Sequence, residues 1–243
     1  DTAFPVSMHI ITKTDIFPKG RGFHDIHWHD EIQFTYVTRG NITIQIDGKQ
    51  HILEEGEAAF VSSGVVHMTS AMSDDGEYVG FMFPEKLLGF FAGSRMEQNY
   101  VVPYVTNYAL SALILHKGIT WSDEVLFKLR ELRDVFLNKK DNPVFEYEVS
   151  VRLVNIWLKM LRGAAGVIRR PSKTYIRRQE RLRSMIMFIT KHYSEPVTLK
   201  EIADSANIST EECRRCFKDM VRESPVHYLV SYRVTASMEL LRN

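Results

Sequence analysis

The sequence predicts an α+β chain in three parts: an N-terminal β-barrel, a pair of covering helices, and an all-α segment built on a helix-turn-helix. Three observations lead there. Apolar and polar residues alternate with period two through the first ~85 residues. From Ser122 onward apolar residues recur at helical spacing. Two capping-box patterns, Thr198-Leu-Lys-Glu201 and Ser209-Thr-Glu-Glu212, then punctuate the tail. The boundaries that follow are a barrel over 1–118, a helical dimerisation or cover region over 119–166, a linker over 167–180 and the helix-turn-helix segment over 181–243.

In the barrel, Ile42, Ile44 and Ile46 alternate with Thr43 and Gln45, and Asp47-Gly48 supplies a two-residue hairpin turn. His51-Ile52-Leu53 follows, and Glu55-Gly56 marks another turn before Ala58-Ala59-Phe60-Val61. Short strands with turn signals at close intervals suggest a barrel or sandwich. Residues 86–118 give few clean periods. Ser122 is placed to cap a helix carrying Val125, Leu126, Leu129, Leu132, Phe136 and Leu137 up to Asn138. A second helix covers about Val144 to Leu161, with a broad stripe of Phe145, Val149, Leu153, Ile156, Trp157 and Met160. That stripe offers a dimer surface or, alternatively, packs against its own barrel.

Composition narrows the class. With 44% hydrophobic and 25% charged residues in 243, the chain can bury a core, which excludes a disordered protein. No run approaches ~18 apolar residues, so no membrane-spanning helix is expected. Asp1 to Met8 show neither the basic nor the apolar region of a signal peptide. Two cysteines cannot make a disulfide framework, which fits a reducing, cytoplasmic setting. The net charge of +1 hides an asymmetry: residues 168–243 carry +6 and the preceding body −5. A basic tail on an acidic body suits contact with a polyanion, although a solvated helical surface would look similar.

Two constellations carry chemistry. His27 and His29 share a strand face, with Gln33 on the same face if no bulge intervenes, and Gly56 and Gly64 precede His67 some thirty residues on. Imidazoles so placed can converge on a transition metal or line a polar pocket. This pattern resembles the cupin superfamily, a β-barrel fold, through Gly22, His27/His29, Gly40, Gly56, Gly64 and His67. Gln33 stands where the superfamily has its Glu, Ser62 replaces a Pro and Ala71 an Asn. Without that carboxylate a divalent site loses its anionic ligand. Ligand-binding residues implied are His27, His29, Gln33 and His67. A divalent metal on His27, His29 and His67 is the cofactor the donors allow.

In the tail, a support helix over 181–193 gives way at Glu195-Pro196. The first capping box opens a helix from Leu199 to Ala206, Asn207-Ile208 makes the turn, and the second box opens the next helix. That helix buries Cys213, Cys216, Phe217 and Met220 and exposes Thr210, Glu211, Arg214, Arg215 and Lys218, which could enter a major groove. An ordinary helical hairpin is the alternative. The two cysteines, three residues apart on the buried face, read as small hydrophobes and not as a redox or zinc pair. Residues 197–209 with Phe217-Lys218, Ser224-Pro225, Tyr228-Leu229 and Tyr232-Arg233 resemble the AraC family of transcriptional regulators. Arg222-Glu223 stand where that family has a Gly, and the sequence stops at Leu241-Arg242-Asn243, where a second helix-turn-helix would begin.

The resemblance implies a DNA-binding transcription regulator, not an enzyme. Its barrel would sense a small molecule, a sugar or related metabolite, and control operator binding. Implied partners are operator DNA, the effector, a second copy of the chain and RNA polymerase, with activation the expected mode. The rival reading is a metal-dependent cupin enzyme using His27, His29 and His67.

Overall fold

The computed structural model describes residues 3–15, 26–105, 109–166 and 171–242. Gly22 and Arg169-Arg170 lie outside them. The barrel is made of β1 (Ser7–Thr12), β2 (Ile32–Arg39), β3 (Asn41–Ile46), β4 (Lys49–Glu54), β5 (Ala58–Val61), β6 (His67–Met72), β7 (Glu77–Phe83) and β8 (Ala112–Leu115). They form two antiparallel sheets, ordered β1-β7-β2-β5-β8 and β4-β3-β6. Ile42, Ile44 and Ile46 point inward and are buried, as their alternation requires. Asp47 and Gly48 both adopt positive φ, 54° and 73°, the conformation a two-residue hairpin turn needs. The ambiguous stretch after Pro84 holds a short helix α1 (Lys86–Gly89), a π-helical turn (Glu97–Val101) and β8. β8 alternates in burial, with Leu113 and Leu115 in the core under α2 and α3, but its four residues Ala112–Leu115 are all apolar, so the sequence shows no period.

Helices α2 (Thr120–Leu137) and α3 (Phe145–Gly163) cover the five-stranded sheet. Two expectations change here. Ser122 is not the cap: it sits inside α2 with its hydroxyl buried, and Asp123 instead accepts from the Gly118 backbone N–H at 3.0 Å. The apolar stripe of α3 is not free for a partner either. Phe145, Val149, Leu153, Ile156, Trp157 and Met160 are all buried in the core shared with β2, β5 and β7. Trimming any of them to Ala would cost about 2–5 kcal/mol.

The stretch 167–180 is not all linker. Ser172 accepts from the Tyr175 N–H and caps α4 (Lys173–His192), so the support helix begins two turns earlier than its apolar period shows. Those extra turns face the barrel. The tail continues with α5 (Leu199–Asp204), α6 (Thr210–Met220) and α7 (Pro225–Arg242). Thr198 and Glu201 form a complete capping box. At α6 half of the second box forms: Ser209 accepts from the Glu212 N–H, while the Glu212 carboxylate turns to Arg181 and Arg215. Asn207 takes the left-handed turn at φ 53°. No helix among the described residues is long and apolar enough to cross a membrane.

Candidate functional site

Residues 26–30 run along the barrel mouth and are joined to β6 by a single β-bridge at His27. His27 and His67 exchange backbone hydrogen bonds of 3.0 and 2.9 Å. Alternation then splits the segment. His27 and His29 turn toward His67, with ring centroids 4.6 to 5.9 Å apart. Ile26, Trp28 and Asp30 turn toward the tail: Ile26 joins the helix-turn-helix core, and Arg183 lies 4.4 Å over the Trp28 ring and 3.3 Å from Asp30. The structure thus brings all four sequence-predicted ligand residues together, because Gln33 follows on β2 and meets two of the rings.

The hydrogen bonds fix what this cluster presents. His29 Nδ1 donates to the Glu31 carbonyl at 2.9 Å and His67 Nδ1 to the Val65 carbonyl at 2.8 Å. A carbonyl can only accept, so in a neutral ring Nε2 is left bare. His67 is neutral: burial and the neighbouring His27 and His29 hold its pKa well below the usual histidine range. Both Nε2 atoms face Gln33 Oε1, at 2.9 and 3.3 Å, and Gln33 Nε2 donates to Thr35 Oγ1 at 2.8 Å; with both Nε2 atoms bare, the amide pairs with them once it is turned over, since its oxygen and nitrogen ends are interchangeable in shape. An amide can turn its NH2 toward two bare nitrogens; a glutamate in the same place could not, and would call for a cation between.

The three rings fit a divalent ion by donor type, with nitrogens within 4.8 Å of one another and the Nδ1–H groups of His29 and His67 anchored on carbonyls as those of ligating histidines usually are. Gln33 withholds the negative charge such an ion would find in a glutamate.

On α6, Glu211, Arg214, Arg215 and Lys218 are exposed and Thr210 is half-buried at the first turn. The Arg214 and Arg215 side chains are 56% and 67% exposed, and Glu211 and Glu212, one turn back, are their ion-pair partners. Cys213 and Cys216 are buried, and burial pushes both thiols up to about 11, so neither is a thiolate at neutral pH.

Sequence reasoning missed the junction between barrel and tail. Asp47, at the β3–β4 turn, accepts from the Tyr175 hydroxyl and the Gln179 amide of α4. Burial raises the Asp47 carboxyl above its usual value. Gly48 presses on the end of α6, where a Cβ would fall 2.2 Å from the Asp219 carbonyl. Arg222, at φ 68° in the position the AraC family gives to Gly, donates to the Gly48 carbonyl at 2.7 Å. Gln45 donates to the Val221 carbonyl at 3.3 Å, and Tyr228 to the Ile26 carbonyl at 3.1 Å. Asp47-Gly48 reads as a turn from local sequence; its partners lie too far along the chain to signal themselves.

The described residues thus form a barrel whose mouth gathers histidines, joined to a capped helix-turn-helix with exposed arginines. Comparison with known proteins finds the following similarities. The Cupin domain family matches residues 14–79. The chain is 27% identical over 231 residues to the uncharacterized HTH-type transcriptional regulator YdeC of Bacillus subtilis (strain 168), covering 95% of this chain and 77% of that protein. It is 20% identical over 233 residues to the uncharacterized HTH-type transcriptional regulator YdiP of Escherichia coli (strain K12), covering 93% and 70%. Among solved structures, the AraC-like transcriptional activator CuxR aligns at 13% identity with a TM-score of 0.38, over 96% of this chain and 73% of that one.

Proposed function

We propose that this chain is a cytoplasmic transcription regulator that reads DNA with α6 and senses a small molecule through its barrel. The observation that carries the reading is α6 itself: a side-chain-capped helix, packed on α4 and α5, that holds Glu211, Arg214, Arg215 and Lys218 in solvent while its other face is core. Side chains so held reach base edges and phosphates without cost to the fold. Selection of bound duplexes from a random DNA pool tests it. Enrichment of a motif that is lost with Arg214→Ala and Lys218→Ala supports it, and a pool that stays random overturns it.

For the effector, His27, His29, Gln33 and His67 offer nitrogen acceptors and an adaptable amide next to the strand that touches Arg183, an arrangement suited to a polar ligand such as a sugar or related metabolite. A divalent ion on the three histidines is the second reading, favoured by the Nδ1 anchors of His29 and His67; when bound it would supply positive charge and open positions for an anionic effector. Titration with Zn2+ or Ni2+ separates the two, since the first needs no metal.

Pairing of two copies uses a different face of α3 from its apolar stripe. Val144, Tyr147, Val151 and Leu158 are 60%, 78%, 54% and 42% exposed. Their spacing of three, four and seven matches the 3.5-residue period of a helix seam. Lys128, Glu131, Glu148 and Arg152 flank it with both signs of charge, so the face is complementary to itself across a two-fold axis. Paired units would meet paired half-sites on operator DNA, with RNA polymerase the further partner of an activator.

A further inference from the structure

Between α4 and α6 lies an open groove of about 290 Å3 with almost wholly ionic walls. α4 contributes Arg177, Arg178 and Arg181, and α6 contributes Arg215 together with Glu212 and Asp219. No residue of the barrel lines it. Building on the reading that α6 enters a groove of DNA, we infer that these arginines clamp one backbone phosphate of the same duplex. The clamp sets where α6 sits, while other side chains of the helix read the bases.

Charge is the first ground. Four guanidinium groups face two carboxylates, which leaves the groove positive. Asp219 is held by Arg178 at 2.5 Å. Glu212 divides its oxygens, Oε1 to Arg181 at 3.5 Å and Oε2 to Arg215, so one carboxylate holds two guanidinium forks side by side. Arg177 has no ion-pair or hydrogen-bond partner among the described residues. A guanidinium carries more N–H donors than a single carboxylate oxygen can take, and its fork matches phosphoryl oxygens. Arg181 and Arg215 therefore keep donors for an incoming phosphate, and Arg177 keeps all of its own.

The lining selects the form of that phosphate. Every residue of the groove except Thr174 is charged. A free nucleotide would find no apolar wall for its base or sugar, and small ligands are commonly held by such walls. A phosphodiester needs none, because the rest of the polymer is held by α6.

Position divides the work along α6. Glu212, Arg215 and Asp219 lie on the flank that meets α4. Helical spacing puts Arg214 on the opposite flank, where it pairs with Glu211 of its own helix at 3.6 Å. Arg214 and Glu211 can exchange that pair for base edges without disturbing α4. Arg215 is drawn the other way and stays with the phosphate. Such backbone contacts fix register and orientation and carry no sequence themselves.

The test is fluorescence anisotropy of the full chain on its best selected duplex and on a scrambled one, over a range of salt. Arg177→Gln with Arg181→Gln should weaken both duplexes by the same factor, about tenfold, and lower the salt slope by about one. The motif enriched from a random pool should not change. Arg177→Lys with Arg181→Lys keeps the charge and should keep the slope, which separates lost charge from lost packing. On duplexes with single phosphates replaced by neutral methylphosphonates, one position should weaken the unaltered chain and leave the Gln pair no worse. Unchanged affinity and slope in the Gln pair overturns the clamp, and a motif that survives there leaves the reading of DNA by α6 standing. A motif that changes in the Gln pair also overturns it, because a phosphate contact carries no sequence. A pool that stays random with the unaltered chain would remove the α6 reading, and the clamp with it.

Discussion

At the barrel mouth, polar side chains drawn from residues 27 to 67 satisfy one another and nearby carbonyls, and no charge is needed. At the junction, a buried carboxylate on Asp47 depends on Tyr175 and Gln179, which lie 128 and 132 residues along the chain. The hydrogen bonds of the first cluster all lie within the barrel. The second exists only while barrel and tail are together, because both donors to Asp47 come from α4. A neutral, self-satisfied cluster is free to meet a ligand; a carboxyl group buried between two units and held by donors from the second is a latch.

Breaking the latch should have the largest effect. Asp47→Ala removes the acceptor that the Tyr175 hydroxyl and the Gln179 amide share and puts Ala at a positive φ, a cost of about 2–4 kcal/mol from the lost hydrogen bonds and backbone strain. Hydrogen exchange should show α4 and the β3–β4 turn losing protection together while the β2–β7 pairing keeps its own. Asp47→Asn, which tolerates the left-handed turn and still offers an acceptor, should lose less. Equal protection in all three proteins would remove the latch.

At the barrel mouth the informative change adds charge. Gln33→Glu replaces the amide by a carboxylate facing His29 and His67, and affinity for Zn2+ or Ni2+ should rise at least tenfold in a titration. No gain would mean that the three rings cannot close on an ion whatever stands at position 33. On α3, Tyr147→Ser with Val151→Ser should shift sedimentation from a two-copy to a single-copy mass with little change in Tm, since both side chains are exposed. An unchanged mass would exclude that face.

How much of this was legible follows from how far each signal reaches. The period-two run Ile42–Ile46, the Asp47-Gly48 turn and the Thr198 capping box are readable because each depends on neighbours within four residues. The histidine pair is readable because strand parity alone puts His27 and His29 on one face. The stripe of α3 is correctly apolar, yet amphipathicity says that a face is covered and not by what, and here the chain's own barrel covers it. The start of α4 was hidden because Tyr175 and Gln179 are polar residues buried against the barrel, so they break the apolar period. Arg222 at positive φ is explained by the Gly48 carbonyl, 174 residues away.

The smallest effect is in pH, where the two clusters run in opposite directions. His67 has a depressed pKa in the folded chain. As pH falls below about 6.5 the unfolded chain takes up a proton that the native one refuses, so stability drops by up to ~1.4 kcal/mol per pH unit. Asp47 has a raised pKa, so its stabilising contribution is present at low pH and lost as pH rises through the folded value. Thermal melts should therefore show Tm falling from pH 7.5 to 5.5, with His67→Gln flattening that slope and Asp47→Asn leaving it in place. A slope that His67→Gln does not change would place its origin elsewhere.

The central claim, that α6 reads DNA, is tested most directly by fluorescence anisotropy of the full chain on its best selected duplex. The account predicts sequence-selective binding that weakens as salt rises, with Arg214→Ala costing about 1–3 kcal/mol if it meets a base edge and Lys218→Ala lowering the salt slope by about one. Binding that is equal on every duplex and indifferent to both substitutions, in variants that keep their Tm, would contradict it.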